Sequence, residues 1–197
     1  MQSRDVLFLR DMSIYISYTH ACIMGNTILL TGNPGSGKTT IIMEIINGFS
    51  GKMGGFYTEE MREGGLRTGF RMITLHGRTG ILAHVNNKSS LRVGKYGVDL
   101  PALEEIGVRS VYGALKDEAL VVIDEIGSME IASEKFRRAV QDVIQSDCTL
   151  LATIVKRSLP FTDGIKRTCS NIIEVSHSSR ENIASQILFS LSEGRKR

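Results

Sequence analysis

Thr27-Ile28-Leu29-Leu30-Thr31-Gly32-Asn33-Pro34-Gly35-Ser36-Gly37-Lys38-Thr39-Thr40 is the stretch on which the fold turns. Ile28 to Leu30 predicts a short apolar strand. Gly32 to Thr39 fits G-x-x-x-x-G-K-[ST], the phosphate-binding loop. Ile41, Ile42, Ile45 and Ile46, with Glu44 among them, predict a helix that begins as the loop ends. The motif thus lies between a strand and a helix, the context in which it has mechanical meaning.

Gly32, Gly35 and Gly37 accept positive φ and let the backbone come close to a ligand. Successive N–H groups at a helix start then form a cradle for an anion. Lys38 is placed to reach the β- and γ-phosphates of a nucleotide, and the Thr39 hydroxyl to ligate Mg²⁺.

Leu120-Val121-Val122-Ile123-Asp124-Glu125 is the second signal. Its apolar run predicts a fully buried parallel strand. The two carboxylates fall at the strand's C-terminal end, where α/β sheets bind their ligands. Asp124 is expected to hold Mg²⁺, directly or through water, and Glu125 to polarise an attacking water.

Between these signals the pattern changes. Asn47-Gly48 and Ser50-Gly51 stop the first helix. Phe56-Tyr57 suits a strand, Gly64-Gly65 a hairpin turn, Phe70 to Leu75 a returning strand, and Ile81-Leu82-Ala83 a third strand after a turn at Gly77 to Gly80. This reads as an antiparallel insertion after the first βα unit. It carries Arg62, Arg67, Arg71 and Arg78 with Glu59, Glu60 and Glu63. Two readings stand: solvated charge pairs, or an arginine acting in cis on a transferring phosphoryl group, with Arg62 or Arg67 in that role.

Val93 to Asp99 suggests one short strand, with Lys95 either at the nucleotide or simply exposed. Pro101 suits the first turn of a helical stretch through Asp117. A helix is expected from about Ser133, with Phe136, Ala139, Val140 and Ile144 on one face. Thr149 to Ile154 predicts another buried strand, whose Thr153 either senses the γ-phosphate or caps the strand. A short helix from Phe161 to Thr168, a last strand from Asn171 to Val175 and an amphipathic helix from Glu181 to Leu191 complete the pattern. The alternation is mostly βα, which implies a mostly parallel sheet with helices on both faces.

Composition is that of a soluble globular chain, with 42% hydrophobic and 23% charged residues in a length of 197 suited to one domain. The net charge of +3 comes partly from Arg195-Lys196-Arg197, so nothing calls for a nucleic-acid surface. Residues 1–26 read as an N-terminal extension, with Met12 and Met24 as alternative starts; residues 27–192 form the nucleotide-binding domain and 193–197 a basic tail. No apolar run approaches the ~20 residues that span a bilayer. Cys22, Cys148 and Cys169 make neither a Cys-x-x-Cys pair nor an even set, which fits a reducing cytoplasm, with Cys148 and Cys169 expected to be buried.

The segments resemble, in order, the thermophile-type nucleoside-triphosphatase family, which includes the human cancer-related nucleoside-triphosphatase. The resemblance spans about residues 27–192. It rests on Gly32 to Thr40, on Gly55-Phe56-Tyr57-Thr58-Glu59-Glu60-Met61-Arg62-Glu63-Gly64-Gly65 with Arg67, Gly69 and Phe70, on Val93-Gly94-Lys95-Tyr96 and Val98-Asp99, and on Val122-Ile123-Asp124-Glu125-Ile126-Gly127 with Met129-Glu130. Arg180-Glu181-Asn182 is a weaker match. The resemblance implies a RecA-like P-loop core that hydrolyses several nucleoside triphosphates with Mg²⁺. It places nucleotide contacts on Gly32, Asn33, Pro34, Gly35, Ser36, Gly37, Lys38, Thr39 and Thr40, and on Val122, Ile123, Asp124, Glu125, Ile126 and Gly127. Ser128 stands where relatives often carry Lys.

Two rival readings share the loop: a small-molecule or nucleotide kinase, and a nucleotide-dependent switch or motor subunit. Glu125 directly after Asp124 favours water as the acceptor, and no Asn-Lys-x-Asp guanine-reading motif is present. Tyr96, Phe161 and the region of Arg180 are candidates to stack on a base. No protein partner is legible.

Overall fold

The computed structural model describes residues 27–117, 120–176 and 182–193. The expectations for residues 1–26, Arg180-Glu181 and 194–197 lie outside the described residues.

The described strands form one nine-stranded sheet. In chain order they are β1 (Thr27–Thr31), β2 (Met53–Glu63), β3 (Leu66–Thr74), β4 (Thr79–His84), β5 (Arg92–Val93), β6 (Tyr96–Val98), β7 (Leu120–Ile126), β8 (Leu150–Ile154) and β9 (Ile172–Glu174). Across the sheet the order is β5-β6-β4-β3-β2-β7-β8-β1-β9. The β2-β7-β8-β1-β9 part is parallel throughout. The β2-β3-β4-β6-β5 part is antiparallel.

The helices are α1 (Lys38–Gly48), α2 (the run of Leu100–Ala102, a π-helical Leu103–Val108 and Arg109–Lys116), α3 (Glu134–Gln145), α4 (Pro160–Thr168) and α5 (Ile183–Glu193). Asp99 caps α2, its carboxylate accepting from the Ala102 N–H at 2.9 Å. Ser133 caps α3, its hydroxyl accepting from the Phe136 N–H at 3.1 Å.

Alternation along the central strands divides the core in two. Leu29, Val121, Ile123, Leu150 and Ala152 face one layer with α2 and α3 residues such as Leu103, Val111, Phe136 and Val140. Ile28, Leu30, Leu120, Val122 and Leu151 face the other, with Ile41, Ile42 and Ile45 of α1 and Ile183 and Ile187 of α5. Strand side chains alternate faces with period two, so continuous apolar runs are what a sheet covered on both sides needs.

The expected antiparallel hairpin insertion follows the first βα unit and is continuous with the parallel sheet: the first half of β2, Met53 to Phe56, pairs with β7, and its second half forms the hairpin with β3. Gly55 makes the first half possible, because at φ +105° a Cβ there would stand 2.0 Å from the Val122 carbonyl oxygen. The single strand expected over Val93 to Asp99 is instead a small hairpin, β5 and β6, because Gly94 takes φ +59° and reverses the chain.

Strand order sets the site. β8 lies between β1 and β7, so the phosphate-binding loop and the Asp124-Glu125 edge are one strand apart. The C-terminal ends of β1, β8 and β7 are tied together: Thr31 Oγ1 donates to the Ile154 carbonyl at 3.1 Å, and the Val155 N–H donates to the Ile126 carbonyl at 3.2 Å.

Candidate active site

The loop folds as the glycines require. Gly32, Gly35 and Gly37 have φ of +151°, +77° and +98°. The Ser36 N–H closes a turn onto the Asn33 carbonyl at 3.1 Å, with Pro34 and Gly35 at its centre. Gly37 caps α1 with no side chain, and the first helical bond runs from Ile41 N–H to the Gly37 carbonyl at 3.0 Å. The N–H groups of Lys38, Thr39 and Thr40 therefore have no acceptor within the helix and stand at its positive end. Lys38 Nζ donates to the carbonyls of Gly32 at 3.1 Å and Asn33 at 3.3 Å, so its charge stays over the loop. Ser36 Oγ is buried without a protein partner. A concave row of donors with a buried free hydroxyl suits phosphate oxygens.

Asp124 is held from both sides. Thr39 Oγ1 donates to its Oδ2 at 2.8 Å and Thr153 Oγ1 to its Oδ1 at 2.5 Å. Three elements thus meet at one carboxylate: α1, β7 and β8. Burial pushes the Asp124 carboxyl up, and the Thr153 and Thr39 bonds and the Lys38 charge pull it back. The Thr39 hydroxyl and the Asp124 carboxylate offer adjacent oxygens, the donor type a hard cation such as Mg²⁺ takes. Thr153 neither stands free to sense a phosphate nor merely ends its strand, since its buried hydroxyl is committed to Asp124.

Glu125 follows at an irregularity. The β7–β8 register shifts between Ile123 and Ile126, and both isoleucines face the same core layer. An odd separation would put them on opposite faces in a regular strand, so the two carboxylates occupy a local bulge, a common device for re-aiming side chains at a site. The Asp124–Glu125 peptide bond is cis. Glu125 is half-buried. Burial raises its carboxyl, Lys38 opposes this, and Asp124 adds to it. Val122 and Ile123 lie in the core beneath, and Ile126 is also buried.

Arg62 and Arg67 come together elsewhere. Arg62 Nη2 pairs with Glu60 Oε2 at 2.5 Å and Arg67 Nη1 with Glu60 Oε1 at 2.6 Å. Arg67 Nε also donates to the Tyr96 hydroxyl at 3.0 Å. The Arg67 hydrogen bond, with help from Arg62, holds the Glu60 carboxyl below its ordinary value despite some burial. These contacts join the hairpin to β6 rather than to Lys38 or Asp124. Tyr96 is buried edge-on to Phe70, and both Arg67 and Lys95 lie over its ring, so it offers no face to a base. Phe161 packs half-buried against the core. Cys148 and Cys169 are half-buried rather than buried, their thiols donating to the Leu115 carbonyl at 3.8 Å and the Thr27 carbonyl at 3.6 Å.

Two partners at this site were not legible as such. Thr153 has no neighbour in sequence that announces its bond to Asp124. Glu130 is an acidic residue that the chain folds inside, 5% exposed, with its Oε2 accepting from the Gly127 N–H at 3.1 Å. Ser128 Oγ accepts from Arg157, which arrives from the loop after β8.

The chain is similar to known proteins over most of its length. The family described as "NTPase" matches residues 27–188. Nucleoside-triphosphatase THEP1 of Thermotoga petrophila is 47% identical over 165 residues, covering 83% of this chain and 92% of that protein. The crystal structure of THEP1 from the hyperthermophile Aquifex aeolicus superposes with a TM-score of 0.76 at 34% identity, covering 82% of this chain and 96% of that one. The solution structure of a human cancer-related nucleoside triphosphatase gives 0.72 at 31% identity, over 86% of this chain and 98% of that one.

Proposed function

The chain belongs to this nucleoside-triphosphatase family, and from that premise we propose that it hydrolyses ATP, GTP, CTP and UTP to the diphosphate and phosphate with Mg²⁺. One observation carries the reading: Thr39 and Thr153 both bond Asp124, so the phosphate loop, the acidic strand and the strand between them share one centre.

Phosphoryl transfer asks a protein for positioning and charge neutralisation rather than covalent chemistry. The amides of Gly32 to Thr40 and the Lys38 ammonium bind the phosphate chain. Thr39 and Asp124 would hold Mg²⁺, which when bound offsets charge on the β- and γ-phosphate oxygens. Val122, Ile123, Ile126 and Gly127 form the strand end that supports the two carboxylates. Glu125, beyond Asp124 at the edge, orients and deprotonates the attacking water. Arg62 or Arg67 supplies positive charge to the transferring group by leaving Glu60, a step that opens one of the two ion pairs there. The proposed location is the cytoplasm, which suits three widely spaced cysteines with no Cys-x-x-Cys pair. No helix among the described residues is long and apolar enough to cross a membrane.

The test is phosphate release from the four ribonucleotides with and without Mg²⁺ and with no added acceptor. Release that needs Mg²⁺, disappears in Lys38→Ala and falls in Glu125→Gln while nucleotide binding persists is the expected outcome. Diphosphate formed only when a hydroxyl acceptor is added, with the phosphoryl group on that acceptor and no free phosphate, would assign a kinase instead.

A further inference from the structure

The loop after β8 crosses the edge of the site and carries an arginine that the chemistry above does not use. The Val155 N–H donates to the Ile126 carbonyl at 3.2 Å, which lays residues 155–158 beside the turn that follows β7. Arg157 Nη2 then donates to Ser128 Oγ. Ser128 adjoins Gly127, against which Glu125 lies: a Cβ built on Gly127 would stand 3.1 Å from Glu125 Oε2. Thr153, at the end of the strand that feeds this loop, holds Asp124 Oδ1 at 2.5 Å. Arg157 is therefore tethered between the strand that grips Asp124 and the turn that adjoins Glu125.

The loop is fixed around this side chain. Lys166 Nζ donates to the Val155 carbonyl at 2.6 Å and to the Lys156 carbonyl at 3.3 Å. Lys156 Nζ pairs with Glu174 Oε1 at 2.5 Å, and Ser158 Oγ donates to Asp163 Oδ2. Arg157 is exposed, and among the described residues it pairs with no carboxylate; its bond is to a neutral hydroxyl. Arg62 and Arg67 differ in this respect, since both are bound to Glu60.

We propose that Arg157 binds the terminal phosphate of a nucleoside triphosphate: its guanidinium leaves Ser128 when the substrate enters and pairs with γ-phosphate oxygens, so the site distinguishes triphosphate from diphosphate. The inference rests on the hydrolytic reading of the site and adds a residue to it. A guanidinium is a planar fork of donors that matches phosphate, and its bond to a charged oxygen is stronger than its bond to a neutral hydroxyl. The exchange from Ser128 to phosphate is therefore favourable, whereas Arg62 and Arg67 must first give up a carboxylate. The anchored loop backbone leaves only a side chain to turn, which keeps the ordering cost low. Lys38 meets the phosphates from the loop after β1 and Arg157 from the loop after β8, so charge that develops on the transferring group is met from both sides.

The experiment compares the full chain with Arg157→Ala, Arg157→Lys and Ser128→Ala. Calorimetry in Mg²⁺ reads the affinity for ADP and for a non-hydrolysable ATP analogue. Arg157→Ala is expected to lose about tenfold or more of the wild-type preference for the triphosphate analogue, with its ADP affinity within about threefold of wild type. Ser128→Ala loses the same hydrogen bond but keeps the guanidinium, and is expected to keep the preference. In phosphate release, Arg157→Ala is expected to lose kcat about thirtyfold or more, Arg157→Lys to recover part of that loss, and Ser128→Ala to stay within about threefold of wild type. An unchanged triphosphate preference in Arg157→Ala overturns the inference. So does an equal loss in Arg157→Ala and Ser128→Ala, which is the behaviour of a loop tie. No phosphate release by the wild-type chain overturns the hydrolytic reading instead; the calorimetric comparison needs no turnover and still decides whether Arg157 reads the terminal phosphate.

Discussion

Thr39 Oγ1 donates to Asp124 Oδ2 at 2.8 Å across 85 positions of sequence. This bond fastens the first turn of α1 to the end of β7, although β8 separates β7 from the strand that feeds the helix. Thr39→Ala removes both a tie and a proposed Mg²⁺ ligand. A hydrogen bond to a charged group contributes about 1.5–3 kcal/mol, so activity at fixed Mg²⁺ should fall about tenfold to a hundredfold. Thr39→Ser should restore most of it. A Mg²⁺ titration of phosphate release checks both, with the midpoint expected to move to higher Mg²⁺ in Thr39→Ala alone.

Thr153→Val keeps the shape of a buried residue and removes the second donor to Asp124. The carboxylate then loses a bond that favours its charged form, so nucleotide-supported Mg²⁺ binding should weaken about tenfold. Calorimetric titration of Mg²⁺ into the nucleotide complex measures this. Unchanged Mg²⁺ affinity would show that the Thr153 bond holds Asp124 without tuning it for the metal.

Stability should depend on pH through Glu130. Its folded value, about 8, lies above the ordinary 4.5, so the folded chain binds a proton that the unfolded chain releases between those values. Unfolding then becomes easier as pH rises: the stabilisation is whole below 4.5 and lost through about 8. Thermal unfolding across this window should show the wild-type Tm falling relative to that of Glu130→Gln. Parallel curves would remove Glu130 as the titrating group.

Gly55→Ala is expected to be among the most damaging single changes. The position has φ +105°, and its Cβ would meet the Val122 carbonyl at 2.0 Å inside the β2–β7 pairing. Backbone on both sides leaves no flexible side chain to yield, so a loss above ~3 kcal/mol is expected. Urea unfolding reports it. By contrast, Gly64→Ala at the hairpin tip meets nothing within 4 Å and should cost only the strain of its φ of +55°.

The hairpin arginines separate stability from turnover. Glu60 and Arg67 are about two-fifths exposed, and exposed pairs contribute roughly 0–1 kcal/mol. Arg67→Ala should therefore lower stability only slightly. If Arg67 also acts on the phosphoryl group, kcat should fall at least tenfold with little change in nucleotide binding. Single-turnover phosphate release on Arg62→Ala and Arg67→Ala decides which arginine, if either, has that role.

Much of this protein is legible in the chain alone, and the legible part is local. Gly32, Gly35, Gly37, Lys38 and Thr39 carry their meaning in consecutive positions, because a phosphate cradle is made of neighbouring amides at one helix start. The apolar run before Asp124 announces a buried strand for the same reason: period and burial act residue by residue. The turn at Gly64-Gly65 and the caps Asp99 and Ser133 depend on chain neighbours too.

What tertiary structure alone decided is everything that depends on which strand lies beside which. β8 between β1 and β7 brings Thr153 onto Asp124, and no spacing in sequence encodes that neighbour. The first half of β2 pairs with β7 while its second half forms the expected hairpin, because a parallel partner is chosen by packing rather than by local propensity. Glu60 gathers Arg62 and Arg67, and Glu130 folds inward beneath Gly127, through contacts set by the closed core. Sequence determined the phosphate-binding-loop pattern ending at Lys38 and Thr39 and the acids Asp124 and Glu125 at a strand end; only the packed sheet decided which side chains hold those acids in place.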